Sequence, residues 1–520
     1  MTDAGSNNKR IAKNTLMLYT RQILILLVSL YTVRVVLDVL GVEDYGIYNV
    51  IGGIVMLFSF LSGTMASATQ RFFSFALGKN DIETLKKIFS VNLIIYITIA
   101  ITAVVFLESI GMWYVKEQLK IPAERYDAVI ILFHFSIFTF IGTMLAAPFM
   151  AIIIAHEDMQ IYAYVSIVEV LLKLGVVFSL MYVSFDKLVL YGILLMVVSV
   201  INLLLYIAIC LKKYQECQFR KFYWDKILLH EIVGFTGWSL FGSFTSILRT
   251  QAVTILLNQV FTPVVVAARA ISTQISNQVN IFSANFNVGI YPPIIKSYSA
   301  NKMENMFSLI FNGAKITFFL MWVFALPLFI EMDTILQLWL KALPEGTVLF
   351  SRLALIEVLI NSISMPITTA ARAPGKVRTY ELTLGCLQIS IFFIDWIILK
   401  LGNAAYSVFI VAIIVNLVMF FIRLKIVNKL IGLPLLPFFK NVVIPVLLVI
   451  FTSTAISFAI FSILPQGIFY SGISIILSMA SSSICMYYIG LNKIWREKVK
   501  EMIQEKIKEI VVEKVKMIIR

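Results

Sequence analysis

The chain has 520 residues, of which 60% are hydrophobic and only 14% charged, with a net charge of +14 and a mean hydropathy of +0.91. Soluble domains are roughly 45–50% apolar and about 25% charged, so this composition excludes a soluble enzyme or regulator and specifies a polytopic membrane protein. The apolar runs are continuous and about 20 residues long, which suits helices rather than the short alternating strands of a membrane barrel, and the fold class is all-α.

In chain order the hydropathy predicts fourteen transmembrane helices, at 15–37, 47–77, 89–110, 127–154, 160–183, 188–210, 231–257, 265–295, 306–330, 347–371, 380–400, 405–427, 441–463 and 469–490. The segment after Lys13 is too long for a signal-peptide core and lacks a small-residue cleavage site, so it is expected to stay as the first span. An even count puts both termini on one side. Of the 43 Lys and Arg residues, 29 fall in the loops on that side, counting Arg423 and Lys425 at a span end, and 6 in the opposite loops, counting Lys400 at a span end; the positive-inside rule makes the termini cytoplasmic, and no nucleic acid is needed to explain the charge. Cys210, Cys217, Cys386 and Cys485 show neither metal-ligand spacing nor a paired framework and read as packing residues. The tail Trp495–Arg520 sets Val499, Ile503, Ile507 and Ile510 on one helical stripe, as an amphipathic helix lying on the inner leaflet does.

A shift of 220 residues lays LDVLGVEDYGIYNV, from Leu37, over LNQVFTPVVVAARA, from Leu257, so that span 2 falls on span 8 without a gap. The expected organisation is an N-lobe over 1–225, a C-lobe over 226–430 related to it by pseudo-two-fold symmetry, a further two-span hairpin over 431–490 and the tail over 491–520. Each half holds an even number of spans, so the repeats are parallel. Transporters built from repeats bind their cargo between them near the midplane.

Several spans carry residues that lipid disfavours. Span 1 holds Arg21 and Arg34, with Asp38 one turn after the latter; span 2 sets Thr64, Ser67, Arg71 and Ser74 on one face; span 5 holds Glu169 and Lys173; span 7 sets Ser239, Gly242, Ser246 and Arg249 on one face. Span 8 is the most polar. Arg269, Ser272, Ser276, Asn280, Ser283 and Asn287 advance by three or four residues and share a face, which is expected to line water rather than lipid. Each charge also has a structural reading: Arg71 can snorkel to the interface, Arg34 can pair with Asp38, and Glu169 with Lys173 can be a buried structural ion pair. For Arg249 and Arg269, with no acidic residue within a turn, ligand binding is the expectation. Guanidinium suits phosphate oxygens, and serine, asparagine and glutamine suit sugar hydroxyls. Catalysis is not supported: His134, His156 and His230 are scattered, His156-Glu157-Asp158 reads as a solvated turn, and no Walker-type phosphate loop occurs.

The stretches KNTLMLYTRQILILLVSLYTVRVVLDVLGVEDYGIYNVIGG, from Lys13, and MASATQRFFSFALGKND, from Met65, resemble the N-terminal signature of bacterial oligosaccharide flippases of the Wzx type. These belong with the multidrug and toxin extruders (MATE-like) in one superfamily of exporters. The resemblance implies two six-helix lobes working by alternating access. Its implied cargo is an undecaprenyl-pyrophosphate-linked oligosaccharide repeat unit, carried from the inner to the outer leaflet of the bacterial inner membrane. It also implies a cationic cavity, which here can fall on Arg21, Arg34, Arg71, Arg249 and Arg269, with Ser272, Ser276, Asn280 and Ser283 beside them. Further expectations are a monomer in contact with membrane lipids, a glycan polymerase or ligase as neighbour, and no resident cofactor. Coupling to a Na⁺ or H⁺ gradient would need a carboxylate, for which Asp38, Glu108, Glu169, Glu357 and Asp395 are candidates. The competing reading is a Na⁺- or H⁺-coupled multidrug exporter of the same fold, whose cationic cargo would favour an acidic or aromatic pocket.

Overall fold

The computed structural model describes residues 3–491, 496 and 497, apart from the single positions 57, 118, 120, 184, 220, 341, 342 and 466; most of the expected amphipathic tail lies outside the described residues. Every regular element among them is helical. The first helix runs from Asp3 to Met56 with a break at Gly41, and its apolar part, α1, is Met17–Gly41. The other long helices are α2 (Ser59–Gly78), α3 (Ile82–Phe106), α4 (Tyr126–Ala155), α5 (Met159–Tyr182), α6 (Lys187–Lys213), α7 (Lys226–Val260), α8 (Pro263–Ser299), α9 (Met303–Ile330), α10 (Thr347–Arg372), α11 (Arg378–Lys400), α12 (Ser407–Ile431), α13 (Ile444–Ile463) and α14 (Ile468–Cys485). Twelve described helices are long and apolar enough to cross a membrane. The bent pair Asp44–Val55 and Ser59–Gly78 adds a thirteenth span. Helix α8, 37 residues long, is the fourteenth long helix, and its polar stripe lowers its hydropathy.

Span 2 departs from the sequence expectation of one straight helix, because its two pieces meet at 45°. The preceding break has a clear local cause. Gly41 sits at φ 79°, a left-handed conformation that only glycine adopts at little cost. The turn is then pinned from the side: buried Asp44 pairs with Arg125, whose other nitrogen lies 2.5 Å from Asp186. Asp186 in turn caps α6 by accepting from the amides of Leu188 and Val189 at 3.0 and 3.1 Å.

By contact the chain divides into two compact units: Met1–Gln251 with Asn285–Leu309 and Thr368–Ser390, and Ala252–Ala284 with Ile310–Ile367 and Ile391–Arg520. In the first unit α4 is the central helix, two-thirds buried along its most apolar stretch. It meets α6 at two glycines. A Cβ on Gly142 would lie 2.7 Å from the Ser199 hydroxyl, and one on Gly192 would lie 2.8 Å from Leu132, so small residues bring these helices together as they do in lipid. A single π turn, Leu107–Gly111, interrupts the end of α3 and presents Glu108 to His134 Nδ1 at 2.9 Å. The second unit is built on Phe318, Phe319, Met321, Trp322 and Leu326 of α9, packed on Val446 and Val449 of α13 and Cys485 at the end of α14. Here α13 and α14 turn their serines inward: Ser453 accepts a hydrogen bond from Trp322 Nε1 at 2.9 Å, and Ser457 and Ser481 lie 3.0 Å apart. Their outer faces are apolar, with Phe451 and Phe469 about three-quarters exposed. All four cysteines are free; three are buried and Cys386 is exposed.

Candidate functional site

Within the first unit α1, α5, α6 and the latter part of α8 bring a set of polar side chains together. Arg21 of α1 is 7% exposed. One terminal nitrogen donates to Ser166 Oγ at 3.5 Å and the other to Asn285 Oδ1 at 3.4 Å, while the guanidinium carbon lies 4.5 Å from the centroid of the Tyr162 ring. Its Nε has no hydrogen-bond partner among the described residues, and no described carboxylate lies within ion-pairing distance of it. Asn285 also donates to Gln22 Oε1 at 3.5 Å. Tyr162, Ser166, Glu169 and Lys173 are spaced by four, three and four residues and so line one face of α5. Further along that face Lys173 donates to Glu169 at 2.6 Å and Asn202 of α6 donates to the other Glu169 oxygen at 3.1 Å. The two side chains pair within α5, but both keep substantial exposure, so the pair is not the buried one that the structural reading expects.

Arg71 is also buried, but its donors are committed. Its Nε donates to the Arg372 carbonyl at 3.3 Å and Nη2 to the Ala373 carbonyl at 2.7 Å, and the rings of Phe72 and Phe75 lie 4.7 and 4.8 Å from its guanidinium carbon. Arg372 in turn donates to Ser67 Oγ at 3.3 Å and to Glu381 Oε1 at 3.1 Å. Gly375 turns the chain there at φ 82°, and a Cβ on it would stand 2.7 Å from Arg71 Nη2. This latch joins the end of α2 to the loop between α10 and α11. A second tie lies nearby in the sequence sense of α2, where Gly78 approaches Ser299 so closely that a Cβ would lie 1.9 Å from its hydroxyl.

The turn after α4 is not the solvated turn its sequence suggests. Glu157, at φ 65° and with its side chain 1% exposed, holds Lys296 of α8 at 2.8 Å. His156 Nε2 lies 2.6 Å from Glu216 and its ring stacks on Tyr214 at 4.2 Å, and Asp158 accepts from the Tyr214 hydroxyl at 2.6 Å. Burial and the neighbouring Asp158 carboxylate push the Tyr214 phenol well above its ordinary range.

The remaining candidates lie on several helices. Arg34 and Asp38 are exposed on α1. Arg249 and Arg269 are partly buried and each engages a partner. The hydroxyls of Ser272 and Ser276 turn back onto carbonyls of their own helix, at Arg269 and Thr273, and Ser283 approaches Met365 Sδ at 3.3 Å, whereas Asn280 is partly exposed. In the second unit Glu357 accepts from Asn416 at 3.1 Å and Asp395 is 1% exposed. Sequence reasoning missed Tyr162, Ser166 and Asn285 as neighbours of Arg21. The stripe on α5 could have been read from its spacing; the approach of Asn285, 264 residues away, could not.

A family described as polysaccharide biosynthesis protein matches residues 11–297 of the chain. Among curated proteins none matches. The fold is that of MATE transporters: a crystal structure of MATE in complex with MaD3S superposes with a TM-score of 0.70 at 14% identity, covering 83% of this chain and 99% of that one. An outward-facing multidrug resistance MATE transporter of the MOP superfamily gives 0.70 at 14% identity over 83% and 96%. A MOP superfamily transporter from Pyrococcus furiosus, described as having a binding pocket of reverse polarity that suggests a different function, gives 0.68 at 13% identity over 83% and 96%.

Proposed function

The chain belongs to the polysaccharide biosynthesis protein family, and from that premise we propose that this multi-pass membrane exporter is a flippase for lipid-linked oligosaccharides. In this reading it carries undecaprenyl-pyrophosphate-linked repeat units from the inner to the outer leaflet of the bacterial inner membrane by alternating access, with both termini cytoplasmic. Family and fold are those of transporters.

The observation that carries the reading is Arg21. A buried cation is costly unless it is paired, yet among the described residues this one is held only by neutral oxygens of Ser166 and Asn285 and the face of Tyr162, with Nε still unfilled. Such a guanidinium is preorganised for an anion that arrives with the cargo, and pyrophosphate supplies the oxygens. Asn285, Gln22, Ser166 and Asn202 offer neutral donors and acceptors for sugar hydroxyls. Arg71 enters the reading as part of the latch rather than as a ligand, since its Nε and Nη2 already serve two carbonyls. The multidrug alternative fits the fold equally, but an organic cation would meet like charge at Arg21; the transporter with reversed pocket polarity is a precedent for such divergence in this architecture.

The test replaces Arg21 by glutamine, which keeps hydrogen-bonding capacity and removes charge. A charge-assisted hydrogen bond contributes about 1.5–3 kcal/mol, so apparent affinity for the carrier should fall roughly 10- to 150-fold, with lysine restoring part of it. Export of surface glycan is measured in cells at matched protein levels, with drug efflux measured in parallel. Unchanged glycan export in the glutamine variant, or lost drug efflux with export intact, would sink the reading.

A further inference from the structure

The loop that Arg71 holds also walls a cavity of about 220 Å³, lined by Phe235 and Trp238 of α7, by Gly375 and Lys376 of the loop before α11 and by Arg378 and Thr379 at its start, together with Gly234 and Val377. Its chemistry is one-sided. Two cations and two aromatic rings line it, and no acidic residue does. Arg378 lies 5.2 Å from the centroid of the Trp238 ring, so its guanidinium is held at the wall, and Lys376 and Arg378 are exposed.

Depth and size narrow the ligand. Gly375, Lys376 and Val377 of the lining belong to the loop between α10 and α11, and such loops lie at a membrane surface rather than in hydrocarbon. Helix α7 has 35 residues, about 52 Å of helix against a hydrocarbon core of roughly 30 Å, so its first turns project beyond the core. Just ahead of it Phe219, Phe222 and Trp224 are more than half exposed, the placement expected of aromatic side chains at head-group level. A volume below the 300–1,000 Å³ typical of drug-sized pockets suits a head group and not a glycan repeat.

We propose that this cavity is a binding site for the phosphate of a membrane-lipid head group, held by Lys376 and Arg378 over the faces of Phe235 and Trp238. The site stands apart from Arg21 and does not depend on what the exporter carries. Because Gly375 lies against Arg71, a head group seated on Lys376 and Arg378 bears on the same loop that the latch holds, so occupancy and latch are coupled.

Full-length protein in neutral detergent is titrated with short-chain phosphatidylglycerol, phosphatidylcholine, undecaprenyl pyrophosphate and inorganic phosphate, and bound ligand is counted by native mass spectrometry. Phosphatidylglycerol is expected to bind well above phosphatidylcholine. Each cation replaced by glutamine should weaken it about fivefold, and Lys376→Gln with Arg378→Gln roughly thirtyfold, while Arg21→Gln leaves it unchanged. Competition by undecaprenyl pyrophosphate at the same two cations also supports the site and names the carrier as its source. Equal affinity in the double variant, equal binding of phosphatidylcholine, or inorganic phosphate binding as tightly as the lipids would each overturn the assignment. Should the double variant melt early, Lys376→Gln alone decides, since its side chain is exposed.

Discussion

Gly375→Ala is the sharpest test of the latch between α2 and the loop after α10. The backbone there sits at φ 82°, where an alanine costs roughly 1–2 kcal/mol. Its methyl would stand 2.7 Å from Arg71 Nη2. The guanidinium is the end of a flexible side chain and can move aside, but moving breaks its 2.7 Å bond to the Ala373 carbonyl, and a hydrogen bond from a charged donor contributes about 1.5–3 kcal/mol. Together these destabilise the latched loop by about 2.5–5 kcal/mol, or roughly two to three and a half orders of magnitude in its opening equilibrium. Amide exchange read by mass spectrometry on residues 371–381 reports that opening directly. Exchange should accelerate in Gly375→Ala and, by a similar mechanism, in Arg71→Gln, while peptides from α13 keep their protection. Unaltered exchange in both variants would refute the latch and leave Arg71 as a buried cation without a holding role.

Asp44→Asn removes the carboxylate that pins the Gly41 turn, and Arg125, a third exposed and still beside Asp186, limits the cost to about 1–3 kcal/mol; a double-mutant cycle with Arg125→Gln on thermal melting should show non-additivity, and simple additivity would dissociate the motif from the pair. Asp81 caps α3 by accepting from the Thr84 amide and hydroxyl at 3.0 and 2.6 Å, and these bonds hold its carboxyl below the ordinary 3.8. Its stabilisation is therefore full above that value and fades as pH falls through the depressed one. Being exposed, the cap should contribute under about 1 kcal/mol; Asp81→Asn, which caps as well without titrating, should flatten that part of the melting curve's acid limb, and an identical limb in the two proteins would contradict the assignment.

The spans were legible because apolar runs long enough to cross a bilayer have few alternatives, and α4, α5 and α10 begin and end within a residue or two of their hydropathy limits. The bend in span 2 was not, since no proline marks it and the glycines at 52 and 53 lie ahead of the break. The glycine of LGVEDYG was read as a family signature, whereas its physical reason, a left-handed turn locked by Asp44, needed Arg125 and Asp186 from distant loops. The polar stripe on α8 follows from spacing, but spacing says which face a serine occupies and not whether its hydroxyl turns to a neighbour or back to its own helix, as Ser272 and Ser276 do. Arg21 and Arg71 looked alike in the sequence. What separates them is the partner each meets 264 and 302 residues later, and that is information only the folded chain holds.

The inward serines of α13 and α14 bear on how the protein is made. These helices leave the ribosome after α9, whose Trp322 faces the place that Ser453 will fill. Hydrocarbon offers no squeezing force between apolar helices, so the hairpin's docking is guided by the Trp322 indole and the Ser457–Ser481 contact. Synthesis halted after α12 would leave an indole N–H facing acyl chains, a polar group without water or partner, and so a recognisable mark of an unfinished chain for the membrane's quality-control proteases.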